Sequence, residues 1–121
     1  MKTIFLNIPD RNKKSVITNI CQRIGIELKT INAGDVDKTV LFIVSGKDVP
    51  ANVKSDVKAP ALYTVPELIL FNEFDDESLE EFLNAYKTSG LERVKLKAVV
   101  TPFNITWTLY QLVEHLKEEA R

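Results

Sequence analysis

The sequence predicts a single α/β domain, with a mostly parallel sheet of about five strands and helices on both of its faces. Short apolar segments typical of buried strands alternate along the chain with longer segments whose apolar residues recur every three or four positions, as in amphipathic helices. Alternating strands and helices build largely parallel sheets. With 121 residues, of which 45% are hydrophobic, the chain is long enough for one such domain and its core.

The first βαβ-like half is predicted over residues 1–45. Residues 4–6 begin a short buried strand, and the stretch Pro9-Asp10 then turns the chain into a helix. The helix is predicted over residues 11–24 because its apolar side chains fall on one face. Gly25 ends this helix, since glycine readily adopts the left-handed conformation of a helix stop.

Two more strands are predicted in this half, before an irregular connection. Residues 26–31 alternate apolar and charged side chains, as an edge strand does. The unbroken apolar run of residues 40–44 predicts a strand buried on both faces. Residues 46–66 contain three prolines and are predicted to be irregular, with a short helix carrying Val49, Val53 and Val57.

The second half is predicted over residues 67–121 and repeats the pattern. Residues 68–71 form a buried strand, and the acidic turn of residues 75–77 suits a helix N-terminus. Gly90 ends this helix, and a strand over about residues 94–100 follows. A last amphipathic helix is predicted from its apolar stripe, which comprises Ile105, Leu109, Leu112, Val113 and Leu116.

The two halves match when the first is shifted by 65 positions. Identical residues over positions 4–25 are Ile4 and Ile69, Asn7 and Asn72, Asp10 and Asp75, Asn19 and Asn84, and Gly25 and Gly90. Most of them fall at strand ends, helix starts or helix stops, which are the boundaries of a βαβ unit. The sequence therefore predicts two duplicated βαβ halves, while independent convergence on the common pattern of such units stays an alternative.

Composition excludes several classes of function. The formal charge of −1 provides no general field that would attract nucleic acid or an anionic membrane. The first apolar run is too short for the core of a signal peptide, and no later run approaches a membrane span. Cys21 is the only cysteine and cannot form an internal disulfide, so a cytoplasmic location is expected. That location argues against glycosylation at the acceptor sequence of residues 104–106.

A binding site is expected where the strands end. Ligands of parallel α/β sheets bind beyond the carboxyl ends of the strands. The loops that follow these ends are predicted to form a single rim, and they begin at Asn7, Ser45, Asn72 and Thr101. The candidate ligand-binding residues are Lys97, Thr101, Asn104, Trp107, Asn7 and Asn72.

Each main candidate also has a structural interpretation. Asn104 precedes the stripe of the last helix and follows Pro102, so it is predicted to be the N-cap of that helix, while the same free amides would favour an anion. Trp107 is interpreted either as packing at the edge of the core or as part of a ligand site. Lys97 is interpreted either as a solvated side chain or as a group that contacts an anion.

The second half resembles a known family. The sequence PELILFNEFDDESLEEFLNAYKTSGLERVKLKAVVTPFNITWTLYQLVEHLKEE resembles domain-of-unknown-function family 3783, a family of small bacterial proteins. The resemblance covers about residues 67–119 and rests on LILFNEFDDE and on the spacing K-A-V-x-T-x-x-N-x-x-W. It implies no activity. It implies only that the family tends to use the positions of Lys97, Thr101, Asn104 and Trp107.

No catalytic site, metal site or cofactor is predicted. The sequence offers one histidine and one cysteine, and no nucleophile, base and orienting group can be combined from its residues. We expect a non-catalytic cytoplasmic module that binds a small ligand, with a small anion as the candidate, or a partner protein. Two alternatives are an enzyme acting on a small anionic metabolite at the rim, and an interaction protein that forms a homodimer through its last helix.

Overall fold

A computed structural model describes residues 1–50 and 56–119. Within these ranges the chain forms the strands β1 (Thr3–Asn7), β2 (Glu27–Thr30), β3 (Leu68–Asn72) and β4 (Leu96–Val99). It also forms the helices α1 (Arg11–Ile24), α2 (Val40–Ser45), α3 (Asp76–Thr88) and α4 (Leu109–Glu119), and one 3-10 turn (Ala33–Asp35). No helix in these parts of the chain has the length and apolar character needed to cross a membrane.

The four strands form one mixed sheet in the order β2-β1-β3-β4. The pairs β1–β2 and β3–β4 are parallel, which confirms the two predicted βαβ units. The central pair β1–β3 is antiparallel. The prediction of a mostly parallel sheet of about five strands is therefore corrected to a mixed sheet of four strands within the ranges that the structure covers.

The missing strand is the apolar run of residues 40–44, which lies in α2. Thr39 caps this helix, because its side-chain oxygen accepts a hydrogen bond from the Phe42 amide. Gly46 ends it in the left-handed conformation, with φ of 76°. Only Val40 of the helix is buried. Five consecutive apolar residues suit a buried strand or a short helix equally well, so the flanking cap and stop decided between them.

The connection between the halves is irregular where it is described. Neither residues 46–50 nor residues 56–66 form a helix. Of the three valines assigned to a short helix, Val49 is buried and Val57 is exposed, while Val53 lies outside the described residues.

Helices cover both faces of the sheet, as predicted. On one face α1 and α3 pack with alternate strand residues around a first core, which includes Ile17, Ile20, Ile69, Phe71 and Phe82. On the other face α2 and α4 pack around a second core, which includes Phe5, Val40, Leu68, Leu70 and Leu109. The caps of α1 and α3 repeat as well, since Asp10 and Asp75 each accept a hydrogen bond from the amide three residues later.

The central strand pair relates the two halves by an approximate two-fold symmetry. Phe5 and Leu70 are related by the shift of 65, and they lie directly opposite each other where β1 pairs with β3. The pairs on either side follow the same approximate two-fold symmetry, because Ile4 pairs with Phe71 and Leu6 with Ile69. The centre of the domain is thus a contact between equivalent positions of the two halves.

The symmetry continues beyond the sheet with a shift of 69, because four additional residues precede β4. Thr39 and Thr108, related by this shift, form an isolated antiparallel bridge. The amides after each threonine bind carbonyl groups of the other half. Val40 and Leu41 donate to Trp107 and Ile105, while Leu109 and Tyr110 donate to Lys38 and Val36. Each half therefore satisfies the first amides of the other half's last helix.

Candidate functional site

The predicted single rim does not form, because the central strands run in opposite directions. Asn7 ends β1 opposite Leu68, whereas Asn72 ends β3 opposite Thr3. The two asparagines therefore lie at opposite ends of the sheet. Asn7 donates its side-chain amide to the carbonyls of Val65 and Pro66, at 2.9 and 3.0 Å, and so fixes the chain that enters β3. Asn72 is half-buried.

Asn104 is buried, but it is not the N-cap of α4, so that prediction is wrong. Its side-chain oxygen accepts from the Thr101 amide at 2.9 Å, and its side-chain nitrogen donates to the Val99 carbonyl at 3.0 Å. The helix begins four residues later, at a capping box made by Thr108 and Gln111. The Gln111 amide donates to Thr108 Oγ1 at 3.1 Å, and the Thr108 amide donates to Gln111 Oε1 at 3.0 Å.

The N-terminus of α4 has no free amide among its first residues. The amides of Thr108 and Gln111 bind each other's side chains, and those of Leu109 and Tyr110 bind the first half of the chain. A helix N-terminus attracts anions through free amides. The backbone amides that were expected to bind an anion at this helix end are therefore already occupied.

Trp107 and Lys97 point to different faces of the sheet. Trp107 packs against the second core and stacks on His115, with ring centroids 4.2 Å apart and planes 22° apart. Lys97 instead lines a cavity on the α3 side of β4. Thr101 lies in the loop after β4, where its hydroxyl accepts from the amides of Phe103 and Asn104. The four candidate residues Lys97, Thr101, Asn104 and Trp107 are thus close in sequence without forming one pocket.

The cavity beside Lys97 has a volume of about 450 Å³ and lies between α3 and β4. Its lining is apolar except for a tyrosine and three cationic residues, and it comprises Ile69, Phe82, Leu83, Tyr86, Lys87, Leu91, Arg93, Val94 and Lys97. We call it the α3–β4 cavity. A smaller cavity of about 150 Å³ continues along the same strand and shares Leu83 and Lys97 with it.

The segment of residues 91–95 forms one wall of this cavity and is held by side chains from three elements. The Tyr86 hydroxyl of α3 donates to the Glu92 carbonyl at 2.7 Å. Lys13 Nζ of α1 donates to the Arg93 carbonyl at 3.3 Å. Glu67, which precedes β3, accepts from the Lys95 amide at 2.8 Å. These bonds fix a segment that has no secondary structure of its own.

Lys97, in β4, is the residue of the cavity lining that most clearly indicates a ligand. It is half-buried, and its ammonium group has no hydrogen-bond or ion-pair partner within residues 1–50 and 56–119. Burial, and then the nearby charge of Arg93, lower the pKa of Lys97 below its ordinary value of 10.5. Both effects disfavour the charged form, and an anion beside the ammonium would offset them.

Sequence reasoning named Lys97 but missed the rest of the cavity. Leu83, Leu91 and Arg93 were not among the candidate ligand-binding residues, because none of them follows the end of a predicted strand. One signal was available. Only Ile26 separates Gly25 from β2, whereas residues 91–95 separate Gly90 from β4. The four additional residues break an otherwise constant shift, and they build the wall of the cavity.

The chemistry of the remaining candidates is limited. Within the parts of the chain that the structure describes, no group of three or more His, Cys, Asp or Glu side chains could hold a metal ion. Cys21 is buried on α1, and burial raises its pKa to about 11, so its thiol is poorly suited to act as a nucleophile. The first turn of α1 contains Arg11, Lys13 and Lys14. Lys13 forms a buried ion pair with Glu67, at 3.0 Å.

Comparison with known proteins gives a family and no activity. No curated protein and no solved structure matches the chain significantly. The resemblance expected from the sequence is confirmed, since a family matches the second half of the chain, including β3, α3, β4 and α4. That family is described as Domain of unknown function (DUF3783), and its match covers residues 67–121.

Proposed function

We propose that this protein is a non-catalytic binding module whose ligand combines an anionic group with an apolar body, held in the α3–β4 cavity. The observation that carries this proposal is the half-buried, unpaired ammonium group of Lys97 in an apolar cavity. Protein interiors compensate partly buried charges with opposite charges or hydrogen bonds. Arg93 is the charged neighbour that affects Lys97, so an anionic ligand would offset the cost of partly burying this ammonium group.

The size and lining of the cavity suit a small molecule or a few side chains. Its volume of about 450 Å³ lies within the range of roughly 300–1,000 Å³ that is common for ligand sites. Such sites are mostly apolar with a few polar groups that orient the ligand. Here Phe82, Leu83 and Leu91 would contact the apolar body, and the cations would bind the anionic group.

The internal repeat supports a specialised second half. The position equivalent to Lys97 in the first half is Leu28, by the shift of 69, and the position equivalent to Lys87 is Gln22, by the shift of 65. Arg93 lies in the segment that the first half lacks. All three cations of the cavity therefore lack a cationic equivalent in the first half, which supports a role specific to the second half.

A binding role is favoured over catalysis. The residues that line the cavity include no Ser, Cys, His, Asp or Glu, so a nucleophile with an adjacent base is not assembled there. The Tyr86 hydroxyl is already committed to the Glu92 carbonyl. A cytoplasmic location remains our proposal as well, because a single cysteine suits a reducing compartment.

Calorimetric titration with octanoate tests the proposal. Octanoate should bind to the wild type, and Lys97→Met should weaken binding about tenfold, or ~1.4 kcal/mol. Lys29→Met, on the opposite edge strand, is the matched control and should bind as the wild type does. Octylammonium, which has the same chain with the opposite charge, should not bind. Equal affinity for octanoate in wild type and Lys97→Met, or no binding at all, would refute the proposed site.

The pH dependence gives a second check. Octanoate requires the charged form of Lys97, so affinity should fall as pH rises through the pKa of this group. Because burial and Arg93 lower that pKa, the fall should begin at a lower pH than for an exposed lysine, and Lys97→Met should lack it. Trp107 lies on the other face of the sheet, so its emission should stay unchanged during the titration.

A further inference from the structure

We infer that the natural ligand of this site is an extended acidic segment of a partner protein, which adds to β4 as a further strand. This inference rests on the proposed function and names the kind of ligand that the α3–β4 cavity receives. It starts from the position of β4, which is an edge strand in the order β2-β1-β3-β4. An edge strand presents backbone groups that can pair with another chain.

The hydrogen-bond pattern shows which of these groups are open. The Val100 amide donates to the Phe71 carbonyl of β3. Backbone groups alternate in direction along a strand, so Leu96 and Ala98 also face β3, while Lys97 and Val99 direct their amides and carbonyls to the free edge. Lys97 thus lines the cavity with its side chain and offers its backbone to a neighbouring strand.

Asn104 covers one end of this edge in the way a strand would. Its side-chain amide donates to the Val99 carbonyl and accepts from the Thr101 amide, which are the two bonds that the backbone of an adjacent strand would make. Among residues 1–50 and 56–119, the part of the edge without a hydrogen-bond partner is therefore limited to the amide and carbonyl of Lys97 and the amide of Val99. A partner segment would pair there, and its side chains would supply the remaining affinity.

Cavities flank this open part on both faces of the sheet. The α3–β4 cavity and its smaller extension lie on one face. On the α4 side, a cavity of about 190 Å³ is lined by Arg93, Lys95, Leu96, Lys97, Leu116 and Glu119, and it shares Arg93 and Lys97 with the α3–β4 cavity at the free edge of β4. Successive side chains of a strand point to opposite faces. An added strand would therefore place alternate side chains in the two sets of cavities, as in other cases of strand addition.

The charges of the edge select an acidic segment. Arg93, Lys95 and Lys97 have no acidic partner among the described residues. On the opposite edge strand β2, by contrast, Lys29 pairs with Glu27 at 3.4 Å. A second copy of this chain is a poor occupant, because pairing β4 with itself would bring lysines together. An acidic strand with apolar residues meets both the charge and the cavities.

Fluorescence anisotropy with short labelled peptides tests this inference. A peptide that alternates glutamate and valine should bind, whereas one that alternates lysine and valine should not. N-methylation of the first peptide at the amides that would face β4 removes backbone hydrogen bonds without changing its charge, and it should weaken binding at least tenfold. Lys97→Glu should also weaken binding at least tenfold, while Lys29→Glu should bind as the wild type does. Hydrogen exchange at the Lys97 amide should slow in the complex.

The outcomes separate this inference from the proposed function. If octanoate binds in a manner that depends on Lys97 but the acidic peptide does not bind, strand addition is wrong and the small-ligand site stands. If the N-methylated peptide binds as well as the parent, or the Lys97 amide is not protected, pairing with β4 is also excluded. If neither octanoate nor peptide binds, both proposals fail.

Discussion

The two halves of this chain share a hydrogen-bonded framework and differ in what lies beside their outer strands. In the first half only Ile26 separates Gly25 from the edge strand β2, and the charges of β2 pair with each other. In the second half residues 91–95 precede the edge strand β4, and the cations of this region, Arg93, Lys95 and Lys97, have no acidic partner among the residues described. The framework is common, and the cavity is an addition to one side.

This difference separates residues that hold the fold from residues that are free for function. The repeated contacts join one half to the other: the central strand pair, the threonine bridge and the exchanged helix caps. The cations of the α3–β4 cavity, Lys87, Arg93 and Lys97, have no cationic equivalent in the first half. Substitutions at repeated contacts should therefore reduce stability in both halves together, whereas substitutions such as Lys97→Met should alter binding alone.

The largest expected effect is at the centre of the approximate two-fold symmetry. Leu70 is fully buried and lies opposite its equivalent, Phe5. Leu70→Ala should lower the free energy of unfolding by about 2–5 kcal/mol, because it leaves a cavity in the second core. Urea unfolding should be followed by Trp107 emission, which reports on the second half, and by the reactivity of Cys21, which reports on the first.

If the halves form one cooperative unit, both probes should give the same midpoint in the wild type and in Leu70→Ala. Separate midpoints would show that the halves unfold independently, and the shared framework would then be a looser association. Exposed Lys87, outside the central contact, offers a control: Lys87→Ala should leave both midpoints nearly unchanged.

The second largest effect should come from the buried ion pair of Lys13 and Glu67, which anchors the wall of the cavity. Both side chains are less than one-tenth exposed, at 8% and 9%, and the equivalent positions hold Ser78 and Lys2, so the pair is not repeated. Lys13→Met leaves the Glu67 carboxylate buried without its partner and should destabilise the protein strongly. The double substitution Lys13→Met with Glu67→Met should recover much of this loss in a urea titration.

The ion pair of Lys13 and Glu67 also determines how the stability of the protein changes with pH. The hydrogen bond from Lys13 to Glu67 raises the pKa of Lys13 above 10.5. Its contribution to stability is therefore complete below that ordinary value and declines as pH rises through the raised pKa. The double variant should lack this decline. An alkaline decline of the same size in both proteins would assign it to other groups, such as Cys21.

The sequence predicted the parts of this fold that depend on local signals. The bounds of α1 were predicted correctly, since one apolar face and a glycine stop define them. The same signals failed for residues 40–44, where a short apolar run fits two structures and the caps decide. They also failed for the direction of β1 against β3, because the long connection of residues 46–66 allows either orientation. Without the relative direction of β1 and β3, the sequence could not show whether the loops after the strands meet in a single rim.

The candidate site shows the same division. Lys97 was named because of its place near the end of a strand, which is a local feature. Asn104 was predicted to be the N-cap of α4, but the helix begins only at Leu109, and its cap is Thr108. The cavity itself depends on how α3 overlaps β4, and on the wall of residues 91–95, which only tertiary contacts hold in place. Such contacts leave little trace in one sequence.

A smaller effect is expected for Asn104, at the edge of β4. Its equivalent in the first half, Asp35, provides the comparison. Asn104 is buried and makes two side-chain hydrogen bonds. Asn104→Ala should cost about 1–3 kcal/mol, because it leaves backbone groups of Val99 and Thr101 without partners. Asn104→Asp should be similarly harmful, since a carboxylate cannot donate to the Val99 carbonyl. Asp35→Ala should have little effect, and urea midpoints that rank it equal to Asn104→Ala would contradict this account.

The smallest effect is expected at Thr39 and Thr108, which form the antiparallel bridge between the halves and directly precede α2 and α4. Thr39 Oγ1 accepts from the Phe42 amide and Thr108 Oγ1 from the Gln111 amide, both at 3.1 Å, so each caps the helix of its own half. Thr39→Ala and Thr108→Ala should each cost about 1 kcal/mol. Similar losses of stability would reflect the symmetry of the framework. Serine at either position should restore most of the stability, because it keeps the hydroxyl group.

Since the two threonines contact each other through the bridge, the loss of stability in the double variant should differ from the sum of the two single losses in urea titrations. Strict additivity, or a loss confined to one threonine, would show that the two helix ends are held independently and that the exchange of caps does not couple the halves.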